Sequence, residues 1–157
     1  MENNKIAQLI ELQAQDISPK DYKEYIYMRR LIDELNARDL PMGVVEFIND
    51  NLELVNHAIE NKFELKKQIK ISKKNILRFL EKQLKVVTRN HYRNMWMALG
   101  MTVFGVPLGV VWGQITDNMG SLGIGIAIGM TIGLALGNSM DKKAASEGRQ
   151  LNIEANS

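Results

Sequence analysis

The sequence predicts an all-α fold: N-terminal cytoplasmic helices and a long basic stem helix lead into a C-terminal two-span transmembrane glycine-zipper hairpin. Three observations predict it. Residues 94–116 and 118–140 are two runs of 23 residues with no Asp, Glu, Lys or Arg, whereas the chain upstream is densely charged. Small residues recur at every fourth position in both runs. Apolar residues upstream recur at i, i+3, i+4 spacing, the period of a helix with one buried face.

Charge divides the 157-residue chain further. Residues 1–61 carry 12 acidic and 6 basic side chains, a net of −6, and residues 62–93 carry 11 basic and 2 acidic, a net of +9. The overall net charge of +2 describes neither segment. We therefore divide the chain into an acidic helical region (1–61), a basic stem helix (62–94), a transmembrane hairpin (95–140) and a cytoplasmic tail (141–157). The residues include no cysteine, which removes disulfide and thiolate chemistry and suits a reducing compartment. Met1-Glu2-Asn3-Asn4-Lys5 lacks the basic stretch and apolar run of a signal peptide, so the hairpin itself is expected to carry the chain to a membrane.

Residues 3–15 read as a short amphipathic helix with Ile6, Leu9 and Ile10 on one side. Ser18-Pro19-Lys20-Asp21 then starts a second helix. Serine caps the first free amides, proline tolerates a position whose N–H has no acceptor, and an aspartate suits the positive helix end. Tyr22, Tyr25, Ile26, Ile32 and Leu35 mark its apolar face as far as about Arg38. Leu40-Pro41-Met42-Gly43 interrupts, and a third helix follows from about Val44 to Ile59, with Val44, Val45, Ile48, Leu52, Val55 and Ile59 on one face. Residues 61–71 fit either a helix or a strand, and helix is favoured because no partner strand is evident. Ser72 suits an N-cap for the stem helix, whose stripe is Ile76, Leu77, Leu80, Leu84 and Val87. Nothing in the sequence breaks this helix before the first span.

The spans are placed at about 95–115 and 121–140, long enough at 1.5 Å per residue for a hydrocarbon core of about 30 Å. Trp96 and Trp112 lie about 24 Å apart on a helix, the spacing of the two interfacial aromatic belts. Arg93 precedes the first span, and Lys142 and Lys143 follow the second, while the connecting loop holds only Asp117. Basic flanks stay inside, so both termini are expected in the cytoplasm and the chain in the cell (inner) membrane. Gly105, Gly109 and Gly113 form one ladder; Ser121, Gly125, Gly129, Gly133 and Gly137 form the other. Gly105-x3-Gly109-x3-Gly113-Gln114-x2-Asp117 repeats at a 24-residue offset as Gly129-x3-Gly133-x3-Gly137-Asn138-x2-Asp141, as a duplicated helix would. A row of glycines is a groove that lets two backbones approach closely, which matters in lipid because no hydrophobic drive brings helices together. Grooves facing each other close the hairpin, and grooves facing a neighbour join subunits; the spacing leaves both open. Pro107 predicts a modest kink. Asp117 and Asp141 read as solvated boundary carboxylates.

Trp96-Met97-Ala98-Leu99-Gly100, the glycine ladder and the ending Met140-Asp141-Lys142-Lys143-Ala144 with Glu147-Gly148-Arg149-Gln150-Leu151 resemble the C-terminal region of small bacterial glycine-zipper membrane proteins. The resemblance covers about residues 92–153. It implies a membrane location and little about activity.

Signs of catalysis are missing from the sequence. The glycines lie within a span rather than after a strand, so they cradle no phosphate. His57 and His91 stand 34 residues apart without a ligand cluster, and no Ser/His/Asp grouping is visible. The expectation is a non-enzymatic integral membrane protein with no cofactor and no metal. It would anchor and self-associate through its zipper, as a homo-oligomer, and present a cytoplasmic helical module to a protein partner. The alternative is a small oligomeric pore-forming or membrane-permeabilising protein of holin or toxin type. The basic residues of 62–93 are expected to meet anionic headgroups, each contributing on the order of 1 kcal/mol. Docking of the acidic segment onto the stem is a second reading, and nucleic acid is the least favoured.

Overall fold

A computed structural model of the chain describes residues 5–15, 17–61 and 64–154. Residues 3 and 4 of the first expected helix and residues 62 and 63 of the expected stem lie outside the described residues. The chain is mostly helical and divides into two compact units, one ending at Val86 and one beginning at Val87.

The first unit holds α1 (Pro19–Asn36), α2 (Met42–Asn61) and α3 (Leu65–Leu84), with α3 packed on both α1 and α2. Helix α1 begins where its capping residues predict: the Ser18 hydroxyl oxygen accepts from the Asp21 amide at 3.3 Å and donates to the Asp21 carboxylate at 2.7 Å. Its buried face is Tyr25, Tyr27, Met28, Leu31, Ile32 and Leu35, so Tyr27, Met28 and Leu31 join the core where Tyr22 and Ile26 were expected to lead. Met28, Leu31, Ile48, Leu52, Val55, Ile69, Ile76 and Leu80 are fully enclosed. Residues 65–71 are helical, after a left-handed bend at Glu64: Leu65 and Ile69, four apart, are buried, while Ile71 is exposed.

Four sequence expectations give way here. Residues 5–13 form no helix but an extended strap, because their main-chain groups find partners on side chains of α1 and α2. An isolated helix of that length is marginal in water, so such partners suffice to win. Ser72 does not cap a helix; it sits in mid-α3, fully buried, and donates to the Asn51 carbonyl at 3.1 Å. The basic stretch is not one helix running into the first span. Helix α3 stops at Leu84, and Lys85 takes a left-handed conformation (φ 56°) from which its amide reaches the Glu81 carbonyl and the Val86 amide reaches that of Leu80. This is a left-handed stop of the αL type, and Leu80 and Val86 on either side of it are both buried. Such stops are ordinarily glycine, so a lysine there carries no sequence signal. Finally, the tail is not a plain extension after residue 140.

The second unit runs β1 (Val87–Arg89), α4 (His91–Leu99), a π-helical segment (Gly100–Gly105), α5 (Val106–Ile115), a 3₁₀ turn (Met119–Ser121), α6 (Leu122–Ser146) and β2 (Gln150–Glu154). β1 and β2 pair in parallel, with Val87 opposite Gln150, Thr88 opposite Leu151, and a bulge before Arg89. Helix α6 extends six residues beyond the expected end of the second span, and residues 150–154 pair as a strand instead of hanging as a tail.

Candidate functional site

The feature of the second unit that organises the rest is the seam between its two long helical arms. Helix α6 buries Gly125, Gly129, Gly133, Gly137 and Asp141, continuing the step of four that starts at the buried Ser121. Across from it lie the buried Gly100, Gly105, Gly109 and Gly113. A Cβ added at Gly105 would stand 2.8 Å from the Ile126 Cα, one at Gly109 2.8 Å from the Leu122 carbonyl, and one at Gly137 2.5 Å from the Arg93 Cα. At Gly125, Gly129 and Gly133 a Cβ would overlap the backbone of Gly109, Gly100 and Trp96 respectively. The two glycine faces therefore meet within one chain. Gly123, one step off the seam, has nothing within 4 Å of such a Cβ.

Gly100 belongs to this seam and lay outside the expected ladder, because it precedes Gly105 by five residues rather than four. On an α-helix five residues turn about 140° past a full turn, which would put Gly100 on the far face. The π-helical segment, whose bonds run from i to i+5, returns it to the seam. The Val106 amide correspondingly reaches back to the Met101 carbonyl. Pro107 follows in the first turn of α5, directly after the π segment. The two arms thus differ by one inserted residue within the 24-residue repeat.

Asp141 is the base rung of the seam. It is 7% exposed, not solvated, and accepts from the Tyr92 amide at 3.1 Å and the Arg93 amide at 2.9 Å. Those are free amides of the first turn of α4, whose own preceding residue, Asn90 (φ 60°), makes no side-chain cap. A carboxylate at that place complements both the amides and the positive helix end. Its repeat partner Asp117 lies exposed in the tip turn at φ 48°. At the tip, Ser121 and Thr116 share a hydroxyl hydrogen bond of 3.1 Å, and Asn118 closes the turn by accepting from the Gly120 amide at 2.9 Å.

Large apolar side chains point away from the seam. Val103, Phe104, Leu108, Val111 and Ile115 on one arm, and Ile124, Ile128, Ile132 and Leu136 on the other, are all exposed. His91–Ile115 and Leu122–Ser146 are 25 residues each, and the most apolar 18-residue stretches of the two have mean hydropathies of 1.6 and 1.5, so both are long and apolar enough to cross a membrane. Trp112 is exposed near the tip, and Trp96 is half-buried near the base with its indole N–H enclosed and unpartnered among the described residues. Arg93, Lys142 and Lys143 are exposed at the base.

The basic stretch upstream has partners of its own. Lys66, Lys70 and Lys73 on α3 face acids of α1: Lys73 lies 2.9 Å and Lys70 3.7 Å from Glu24, and Lys66 lies 3.9 Å from Asp21. Burial alone would raise the Glu24 carboxyl, but the hydrogen bond and charge of Lys73, with Lys70 beside it, hold it below its ordinary value. The Lys73 ammonium also sits 4.3 Å over the Tyr27 ring. Burial, with the Glu24 charge, pushes the Tyr27 phenol up to about 12. Pairing with Asp21 and Glu24 of α1 is thus what these lysines do, while Lys74, Arg78 and Lys82 are exposed. His57 is exposed on α2, and no three His, Asp or Glu side chains gather as a metal set among the described residues.

No family model, curated protein or solved structure matches the chain.

Proposed function

We propose that residues 91–146 cross the inner membrane of a bacterial-type cell twice, as a glycine-zippered hairpin of the kind the sequence resembles. In this reading the hairpin anchors a non-enzymatic helical module in the cytoplasm for a protein partner. The observation that carries the reading is the inverted burial of the hairpin. Only 17% and 22% of the most apolar stretch of each arm is buried, and what is buried is glycine. A soluble protein does not leave so continuous an apolar face in water. A lipid solvent instead rewards close backbone packing inside and aliphatic side chains outside. Neighbouring parallel strands β1 and β2 bring both ends of the hairpin to one side, independently of charge. The cations at that end, Arg93, Lys142 and Lys143, make it the cytoplasmic side. The meeting of both glycine faces within one chain supports hairpin closure over subunit joining as the work of the zipper. A second copy would then meet the aliphatic outer face.

Because the chain lacks cysteine, single cysteines report topology without background. In intact cells, Asn118→Cys should react with a membrane-impermeant maleimide added outside, and Ser146→Cys only after lysis. The chain should stay with the membrane pellet through alkaline washing. Recovery in the soluble fraction without detergent would defeat the membrane reading, and reversed labelling would defeat the orientation.

A further inference from the structure

The strap of residues 5–12 is held in an uncommon way. It runs along α2 in an extended conformation, and its main chain is gripped by two asparagines. Asn49 accepts from the Ala7 amide at 2.7 Å and donates to the Lys5 carbonyl at 3.5 Å. Asn56 repeats the grip one step further on, accepting from the Ile10 amide at 2.9 Å and donating to the Gln8 carbonyl at 3.1 Å. Each carboxamide thus bridges residues i and i+2 of the strap. The spacing matches: seven residues of α-helix rise about 10.5 Å, and three residues of extended chain about 10 Å. Beyond Asn56 the buried Tyr25 hydroxyl finishes the row, donating to the Ile10 carbonyl at 3.0 Å and accepting from the Leu12 amide at 3.3 Å.

Two asparagines and a tyrosine aimed at main-chain groups read the shape of an extended peptide rather than its sequence. Among the strap's own side chains Leu9, Ile10 and Leu12 are half-buried. Only Ile6 is buried, sharing a cleft with Leu35, Leu40 and Val45, and Ala7 and Gln8 are exposed. The strap also leaves its channel part-empty. A cleft of about 500 Å³ lies alongside Gln8, Leu9, Tyr25 and Ile32, and one of about 300 Å³ alongside Ile6 and Leu40. A segment held by side-chain hydrogen bonds and a single fully buried side chain, with exposed residues between, belongs to the part of a fold that opens early.

We propose that the face formed by Tyr25, Asn49 and Asn56 is a docking site for an extended peptide segment of a partner protein, and that residues 5–12 are its displaceable internal occupant. The ligand is a stretch with free main-chain amides and an Ile-sized anchor at the Ile6 position. This gives the partner-facing module of the function proposed above a specific surface, yet it does not depend on the membrane. Recovery of a soluble chain would remove the anchor and leave peptide binding untouched.

The test uses the full-length protein and a fluorescent peptide with the sequence of residues 5–13, read by anisotropy. The wild type, whose own strap competes, should bind weakly. Ile6→Asp, which releases the strap, should bind about tenfold more tightly, as expected when an internal competitor is removed. Asn49→Ala with Asn56→Ala should lose at least about tenfold of the Ile6→Asp affinity when combined with it. Equal binding by wild type and Ile6→Asp, or binding indifferent to the two asparagines, would overturn the proposal. Self-association abolished by removing residues 5–12 would overturn it too, since the occupant would then be the strap of a second copy. Hydrogen exchange of the wild type keeps the test independent of any variant's folding. The Ala7 and Ile10 amides should exchange at least about 100-fold faster than those of Ile48 and Leu52. Equal protection would make the strap an integral part of the core and end the idea.

Discussion

The two units of this protein solve the packing problem in opposite directions. In the three-helix unit the large side chains are inside: Met28, Leu31, Ile48, Leu52, Ile76 and Leu80 are enclosed, and charge faces out. In the hairpin the inside is glycine and the outside is Val103, Leu108, Ile124, Ile128 and Leu136. The first arrangement is driven by removing apolar area from water, at roughly 25 cal/mol per Å². The second removes almost none, and gains backbone-to-backbone contact instead. The contrast teaches that burial and apolarity are separate variables, and the membrane reading proposed above attributes their separation in the hairpin to a lipid solvent.

The sharpest way to break the comparison is to add a methyl group to the hairpin. Gly129→Ala would push a Cβ into the Gly100 carbonyl and the Gly105 backbone, neither of which is a flexible side-chain end. We expect a loss of about 3 kcal/mol or more, because overpacking against backbone forces the two arms apart. Gly123→Ala, which meets nothing, should be neutral or mildly stabilising. Thermal unfolding in detergent compares the two, and equal effects would refute the close seam.

Next in size is the converse experiment on side-chain deletion. Ile76→Ala in the bundle should cost about 3 kcal/mol, as buried truncations do. Ile128→Ala on the outer face of the hairpin should cost less than about 0.5 kcal/mol in the same detergent. Chemical denaturation of each unit reads both. A large Ile128 effect would mean that this face is packed against protein.

A smaller effect joins the arms at their base. Asp141→Ala should cost about 2 kcal/mol by freeing the amides of Tyr92 and Arg93, whereas Asp117→Ala should cost less, since Asp117 lies exposed in the tip turn. Asp141→Asn should fall between, keeping an acceptor but losing the charge that favours the helix end. Comparable losses from both aspartates would show that the cross-arm cap is idle.

The smallest expected effect is electrostatic and belongs to the bundle. Glu24→Gln should cost about 0.5 kcal/mol at neutral pH, in line with part-exposed ion pairs. The Glu24 carboxyl is held below its ordinary value of 4.5, so the charged form contributes stability above that pH. The contribution fades as the pH falls through the lowered value. The difference between wild type and variant should therefore shrink on acidification and vanish once both side chains are neutral. A difference that grows toward acid pH would contradict the Lys73 pairing.

Much of this was legible in one dimension because it depends on local chemistry. Ser18, Pro19 and Asp21 announce the start of α1 through their own backbone and side-chain hydrogen bonds. The charge-free runs and the four-residue glycine ladders are sequence facts, and the two long apolar arms follow from them. Some missed features had weak signals: the alternation Gln150-Leu151-Asn152-Ile153-Glu154 and the β-branched Val86-Val87-Thr88 suit the strand pair that forms. Others had none. A lysine at a left-handed helix stop carries no glycine signal, and a step of five between Gly100 and Gly105 looks like a break in the ladder until a π turn restores it.

The sequence by itself determined the composition of each surface: which stretches are charged, which are apolar, and where a backbone is bare enough for another to touch it. Only the tertiary structure decided which surfaces meet. It turned the two glycine faces toward each other, set Asp141 on the amides of α4, docked Asp21 and Glu24 on the lysines of α3, and laid residues 5–12 across Asn49 and Asn56. The reason is physical. Propensity and patterning act over a few residues, whereas the partner of a buried amide, a charge or a bare backbone is chosen among groups from about a dozen to about fifty residues away, and no local pattern records that choice.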